Sequence, residues 1–508
     1  MTPREFVERR FVGSSVAAAA GALVACSFAP IDAWPLAMIG PAMLFWLWQD
    51  AAPRRAAVLG FWFNAGTFAV GTYWLYIAIA ENGHAPLALT FVLMAGLIAI
   101  MGAYHALLGW LVAKYLPARG ALRWLAGIPG LWLLIEWFRS WFLSGFGWLA
   151  LGYSQTDTWI GELAPVIGQF GLGLIVLLLS GALLTALLGS ARERFAAAAI
   201  ALALVGAGFA VRGIEWTQPS GPPLTVAVVQ GAIPQDEKWI DANLDKTLEL
   251  YRDLTRQAHG AQLIVWPESA IPDLINYHID YFRDVYQEAS AQGSALVMGA
   301  MREAENPQGG EKKYYNSVIA MDRDSEVGFY DKHHLVPFTE FIPVPDFVRN
   351  WLRLAGLPSA DFNRGDKVQP PLQAAGQRIA ASVCYEDAYG STQLPALRTA
   401  TLLVNVTNDA WFGRSTARYQ HLQISRLRAK EAGRPMVRAA NTGVSAVIDE
   451  FGRVTERAPE YQPSVMRGTL QPRSGLTPYA TTGNWPILLL ALVLSGLGAY
   501  FGRRPLDL

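Results

Sequence analysis

Apolar runs of about 20 residues, the length a helix needs to cross the hydrocarbon of a bilayer, follow one another through the first 211 residues of this chain. They lie near 11–29, 33–49, 56–79, 87–113, 124–138, 163–189 and 195–211, and another, NWPILLLALVLSGLGAYF, occupies 484–501. With 508 residues, 52% hydrophobic and 16% charged, and 18 tryptophans, the composition is too apolar for an ordinary soluble enzyme. The expectation is a membrane protein: an eight-helix transmembrane bundle with an α/β extracytoplasmic domain inserted between its seventh and eighth helices. Residues 1–215 hold the first seven helices, 220–475 the inserted domain, and 484–508 the last helix and a cytoplasmic tail.

Basic residues orient such a bundle, because Lys and Arg in short loops stay in the cytoplasm. Arg4, Arg9 and Arg10 precede the first run, Arg54 and Arg55 follow the second, and Lys114, Arg119 and Arg123 follow the fourth. Arg192 and Arg194 follow the sixth, and Arg503 and Arg504 the last. All fall on one side, Arg139 being the main exception. Seven crossings then put the inserted domain on the periplasmic face of a bacterial inner membrane, with both termini cytoplasmic. A formal net charge of zero argues against a nucleic-acid partner.

Only two cysteines are present, Cys26 within a span and Cys384 in the polar domain, so no disulfide framework is expected. LVAC at 23–26 has the form of a lipoprotein-type cleavage box, but the apolar run resumes at once and Cys26 reads as a membrane-buried small hydrophobe.

Linkers rich in Pro, Gly and Ser bracket the inserted domain at 216–223 and 459–478. Between them LTVAVVQG, LIVWPE, ALVMGAM, NSVIAMD, IAASVCYE and LLVNVTN read as strands alternating with helices. Leu244, Leu248, Tyr251 and Leu254 give one helix a buried face. Strand exits are where α/β domains place chemistry. Here they present Glu268 in VWPESAIP, Lys332 and Glu340 in GFYDKHHLVPFTEFIPV, and Cys384 in VCYEDAYG. A cysteine nucleophile needs a base for its proton and a cation for the thiolate and oxyanion. Glu268 and Lys332 supply both, the cation being required all the more because Glu386 and Asp387 flank the thiol.

VWPESAIP, YDKHHLVPFTEFIP, SVCYED and LLVNVTNDAWFG stand in the order and spacing of the nitrilase superfamily. The chain as a whole resembles the apolipoprotein N-acyltransferase family. That resemblance implies a nitrilase-like αββα sandwich with Glu268 as general base, Lys332 as stabiliser of the tetrahedral intermediate and Cys384 as nucleophile. It also implies support from Glu340, Tyr385 and Glu386, the Tyr385 N–H donating to the oxyanion, and from Trp239 on a loop at the substrate entrance. The implied reaction is ping-pong acyl transfer. A membrane phospholipid, phosphatidylethanolamine foremost, acylates Cys384, and the thioester then acylates the α-amine of a diacylglyceryl-modified apolipoprotein cysteine. No metal or organic cofactor is implied.

Two rivals stand beside this reading. A membrane-tethered amidase or nitrilase would keep the triad and discharge the acyl group to water. A transporter is disfavoured because the spans hold few ionisable residues apart from His105 and Glu136. Trp132, Trp137, Phe138, Trp141, Phe142, Phe146 and Trp148 read as an aromatic interface belt. His333 and His334 lack a metal-binding partner motif and read as structural. The run RLRAKEAGRPMVR at 426–438 reads as a solvated helix face leading into a buried strand.

Overall fold

Each apolar run contains a helix, but the helices differ in length from the runs. The computed structural model describes residues 10–306, 309, 311–337, 339–341 and 362–501, so Arg4, Arg9, Arg503 and Arg504 lie outside the described residues. Among these, the helical stretches 87–115, 160–188 and 191–210 are long and apolar enough to cross a membrane. Phe11–Ala25, Leu36–Leu47 and Trp485–Phe501 are apolar and shorter. The run at 33–49 shrinks to 12 helical residues because Pro35 fixes its start, while Asp50 at φ 51° and Pro53 end it. The run at 124–138 is a wide turn, Arg123–Gly127, leading into Ile128–Arg139.

Contacts divide the chain into two units. The first comprises residues up to Glu215, Phe412–Leu427 and Thr477 onward. Glycines let its helices touch backbone to backbone, as at Gly60, where a Cβ would lie 2.1 Å from the His105 carbonyl oxygen. Leu87, Phe91 and Val92, and on the helix Ala191–Ala210 Phe195 and Leu202, point outward, the apolar exterior a bilayer requires. Arg139 is buried and donates to the carbonyls of Phe146 and Trp148, which explains why this one arginine breaks the charge pattern.

The reading of an aromatic belt is corrected here. Trp132 and Trp148 are buried inside the unit and do not belong to an interface belt, whereas Trp141 and Phe142 are exposed. Residues 412–427, assigned to the inserted domain from sequence, group with the helical unit. The reason is polar: Gln420 Oε1 accepts from the indoles of Trp74 (3.2 Å) and Trp148 (2.8 Å), and its amide donates to Gly71 O. A buried indole N–H without a partner would cost free energy; Trp74 also reaches the Gly71 carbonyl at 3.1 Å, and for Trp148 this segment supplies the acceptor.

The second unit, Trp216–Trp411 with Arg428–Leu476, holds two six-stranded sheets. We number its strands β1 (Leu224–Gln230), β2 (Leu263–Trp266), β3 (Ala295–Ala304), β4 (Lys313–Asp322), β5 (Ser325–Asp331), β6 (Leu372–Ala374), β7 (Gln377–Val383), β8 (Leu402–Thr407), β9 (Met436–Ala440), β10 (Ala446–Ile448), β11 (Val454–Arg457) and β12 (Ser464–Leu470). The orders are β12-β1-β2-β3-β4-β5 and β11-β10-β9-β8-β7-β6. Alternation along β1 decides what lies on each side. Val226 and Val228 join Val265, Val297, Val404 and Val406 in a core between the sheets. Ala227 and Val229 face the other way, toward Trp266, Tyr251, Leu254 and Phe282. Tyr251 and Leu254 come from the helix Leu244–Gln257 and Phe282 from Ile279–Ala291, so helices cover that face. Because β1, β2 and β3 run parallel, as do β7, β8 and β9, their C-terminal ends open together.

The arginine run is also corrected. Arg428, Arg434 and Arg438 are buried. Arg428 pairs with Glu431 at 2.6 Å, Arg434 donates to the carbonyls of Ala400 and Gly475, and Arg438 donates to Asn405 and Asp409. Each guanidinium finds its acceptors in segments distant in sequence or one helical turn away, which makes burial tolerable.

Candidate active site

Glu268 leaves the end of β2 on a tight turn whose next residue, Ser269, has φ 45°. Its carboxylate is buried and held on both oxygens: Asn316 Nδ2 donates to Oε1 at 2.7 Å and the Asn408 N–H to Oε2 at 2.8 Å. The turn depends on Gly299 of β3, where a Cβ would lie 2.5 Å from Glu268 Cα and 2.7 Å from the Pro267 carbonyl oxygen. Backbone, not a flexible side chain, stands in the way. Gly299→Ala is therefore expected to displace Glu268 and cut turnover about 100-fold, a cost that follows from misplacing a reacting group by about 1 Å. Steady-state kinetics beside a melting curve checks this, since simple overpacking would lower stability without selecting turnover.

Lys332 follows β5 and is fully buried. Its Nζ lies 2.9 Å from Glu340 Oε1 and 3.7 Å from Glu268 Oε1. Asn316 also donates to Glu340 Oε1 at 2.9 Å, and the Val336 N–H to its Oε2 at 2.8 Å, so Glu340 is fixed as the inner partner of the lysine. The Tyr385 ring lies over the ammonium at 5.7 Å, and its hydroxyl donates to the Leu335 carbonyl.

Cys384 directly follows β7 in a left-handed conformation, φ 55°, that a side chain adopts only when its surroundings impose it. The imposing groups are visible. Asn405 Nδ2 donates to the Cys384 carbonyl at 3.0 Å, and Arg438 orients that amide through Oδ1 at 2.6 Å. On the other side Glu386 accepts from the N–H groups of Val383, His333 and His334 at 2.8–3.0 Å and from the Tyr330 hydroxyl at 3.2 Å. Glu386 thus binds the end of β7 to the loop after β5. The two acids beside the thiol do not act as the sequence suggests: Glu386 is engaged by these donors, and Asp387 lies 3.6 Å from the Arg438 guanidinium.

Electrostatics defines the resting state. Burial, then the Glu268 carboxylate, push the Cys384 thiol up, against Lys332 and the Thr407 hydroxyl, so the sulfur rests protonated. Burial opposes the charge on Lys332, but Glu340 and Glu268 outweigh it and keep the ammonium protonated. Burial raises Glu386 to about 7, with its N–H donors pulling the other way. A protonated thiol, a carboxylate coupled to it and a permanent cation suit nucleophilic attack with simultaneous proton removal.

The side chains singled out from sequence are thus brought together, except that Trp239 stands apart, 45% exposed at the end of the turn Gln235–Lys238. His333 Nδ1 lies 2.8 Å from the Gly365 carbonyl and His334 stacks on Tyr389 at 4.1 Å. Among the described residues no group of three His, Cys, Asp or Glu side chains could hold a metal ion. Sequence reasoning missed Asn316, Asn405, Asn408 and Arg438. Asn405 and Asn408, in LLVNVTN, left the one available signal: polar residues at the end of an otherwise apolar strand.

Comparison with known proteins gives matches to both parts. Residues 225–479 match the carbon-nitrogen hydrolase family model, and residues 20–182 match that of the apolipoprotein N-acyltransferase N-terminal domain. Among curated relatives, the apolipoprotein N-acyltransferase of Azotobacter vinelandii is 42% identical, covering 95% of this chain and 94% of that protein. Those of Methylococcus capsulatus and Pseudomonas putida are each 39% identical over 95% and 97% of this chain, and of their own lengths.

Proposed function

The chain belongs to the apolipoprotein N-acyltransferase family, and from that premise we propose that Cys384 carries the acyl group between phosphatidylethanolamine and the lipoprotein amine. Cys384 Sγ attacks the donor's ester carbonyl while Glu268 takes the thiol proton. Lys332 and the Tyr385 N–H stabilise the oxyanion. The intermediate collapses to a thioester, and Glu268 returns the proton to the departing glycerol oxygen of the lysophospholipid. In the second half, the α-amine of the diacylglyceryl-cysteine attacks the thioester. Glu268 accepts a proton from nitrogen and restores it to sulfur as the amide forms.

The observation that carries this reading is the meeting of Glu268, Lys332 and a partly exposed Cys384 at three strand ends. Glu340 fixes Lys332, Glu386 fixes the backbone at the nucleophile, and Trp239 meets the incoming lipid. The eight apolar segments cross the inner membrane, with the catalytic unit on the periplasmic side and the termini in the cytoplasm. Both substrates bear acyl chains, so a membrane-resident enzyme need not lift those chains into water.

Intact-mass spectrometry of the protein incubated with phosphatidylethanolamine tests the scheme. The expected result is a fatty-acyl adduct that hydroxylamine removes and that a diacylglyceryl-cysteine peptide discharges, the acyl group then appearing on the peptide amine. Intact phospholipid without an adduct overturns the scheme. Release of free fatty acid at the same rate with and without the peptide would favour the hydrolase.

A further inference from the structure

Lys238 is a lysine with almost no exposure, one residue before the exposed Trp239, and none of the chemistry above uses it. Taking an ammonium out of water costs several kcal/mol unless partners replace the lost hydration. The one hydrogen bond of its ammonium among the described residues is to the main-chain carbonyl of Glu268, at 3.3 Å. Its Nζ also lies 5.9 Å from the centre of the Trp239 ring, at the edge of cation–π range. Burial pushes its pKa down to about 8, and the Glu268 carboxylate draws it back up.

The same loop is tied to Glu268 a second way, through its carboxylate. Gln235 Oε1 accepts from Asn408 Nδ2 at 3.0 Å, and Asn408 is the residue whose N–H holds Glu268 Oε2. Asn441 secures the start of the loop, exchanging hydrogen bonds with both main-chain groups of Ile233 at 2.8 and 3.0 Å and donating to Asn408 Oδ1. The Glu268 carbonyl that Lys238 holds belongs to the peptide entering the left-handed Ser269. A loop serving only as a cover would not need a buried cation bonded to this peptide.

We propose that Lys238 is a positioning residue: it fixes the Glu268 peptide and joins the loop bearing Trp239 to the carboxylate that moves the proton. The proposal rests on Glu268 being that proton acceptor. Lys238→Met keeps the length and removes the charge and the donor. It is expected to slow thioester formation at saturating phospholipid about 10- to 100-fold, with KM for phospholipid within about twofold of the parent. Lys238→Gln, which keeps an N–H for the carbonyl, is expected to fall between the two and serves where the Met variant does not accumulate. Trp239→Ala, by contrast, should raise KM. A Lys238→Met enzyme with the parental rate, a loss confined to KM, or a Lys238→Gln enzyme no faster than Lys238→Met overturns the proposal. Glu268→Gln assayed alongside separates the two ideas, since thioester formation at the parental rate in that variant would remove the base itself.

Discussion

Cys384→Ser is expected to form no acyl adduct and to lose turnover by on the order of 10⁴-fold or more, the scale seen when a covalent nucleophile is removed. The exchange is nearly isosteric, and the left-handed backbone is held by Asn405 and Glu386 from outside the side chain, so the fold should persist. The loss is chemical. A hydroxyl is a far weaker acid than a thiol, and this site already resists ionisation through burial and the Glu268 charge. Lys332 and Thr407 offset that resistance for sulfur, but they would have to do far more for oxygen. Mass spectrometry after incubation with phospholipid, with a melting curve as control, reads the result. An equal adduct on the serine variant, mapped elsewhere in the chain, would move the nucleophile away from Cys384.

The apolar runs and the strand pattern were legible because both depend on residues close in sequence. Val226 and Val228 alternate with Ala227 and Val229, and that alternation alone separates the core between the sheets from the face under the helices. Glu268, Lys332 and Cys384 stood out because a charge or a thiol directly after a buried strand has few packing reasons to be there. What could not be read is whatever depends on a distant partner. Arg428 stands where the helix pattern promises a solvated face, Arg434 and Arg438 lead into and lie on the buried strand, and Glu431, the Ala400 carbonyl, Asn405 and Asp409 are the partners that sequence does not show. Lys238 is hidden for the same reason, its partner lying 30 residues along the chain. Residues 412–427 look like the domain around them until the buried Trp148 indole needs an acceptor, which Gln420 supplies.

Arg438→Met should destabilise the catalytic unit by about 3–5 kcal/mol, the usual cost of removing one member of a buried charge pair. Arg438 is wholly buried, 2.9 Å from Asp409 Oδ2 and 3.6 Å from Asp387 Oδ2, so the substitution leaves two carboxylates without their shared cation. It also frees Asn405, which Arg438 aims at the Cys384 carbonyl. Hydrogen exchange at the β7 and β8 amides measures the first effect and single-turnover thioester formation the second. The double variant Arg438→Met, Asp409→Asn separates them, because it removes one of the two carboxylate charges that Arg438 balances together with Arg438 itself. Stability should then recover substantially while thioester formation stays low, since Asn405 still lacks the group that orients it. Recovery of both would reduce Arg438 to a neutraliser of Asp409. Recovery of stability alone means that the strained conformation of the nucleophile depends on a residue 54 positions away, acting through Asn405.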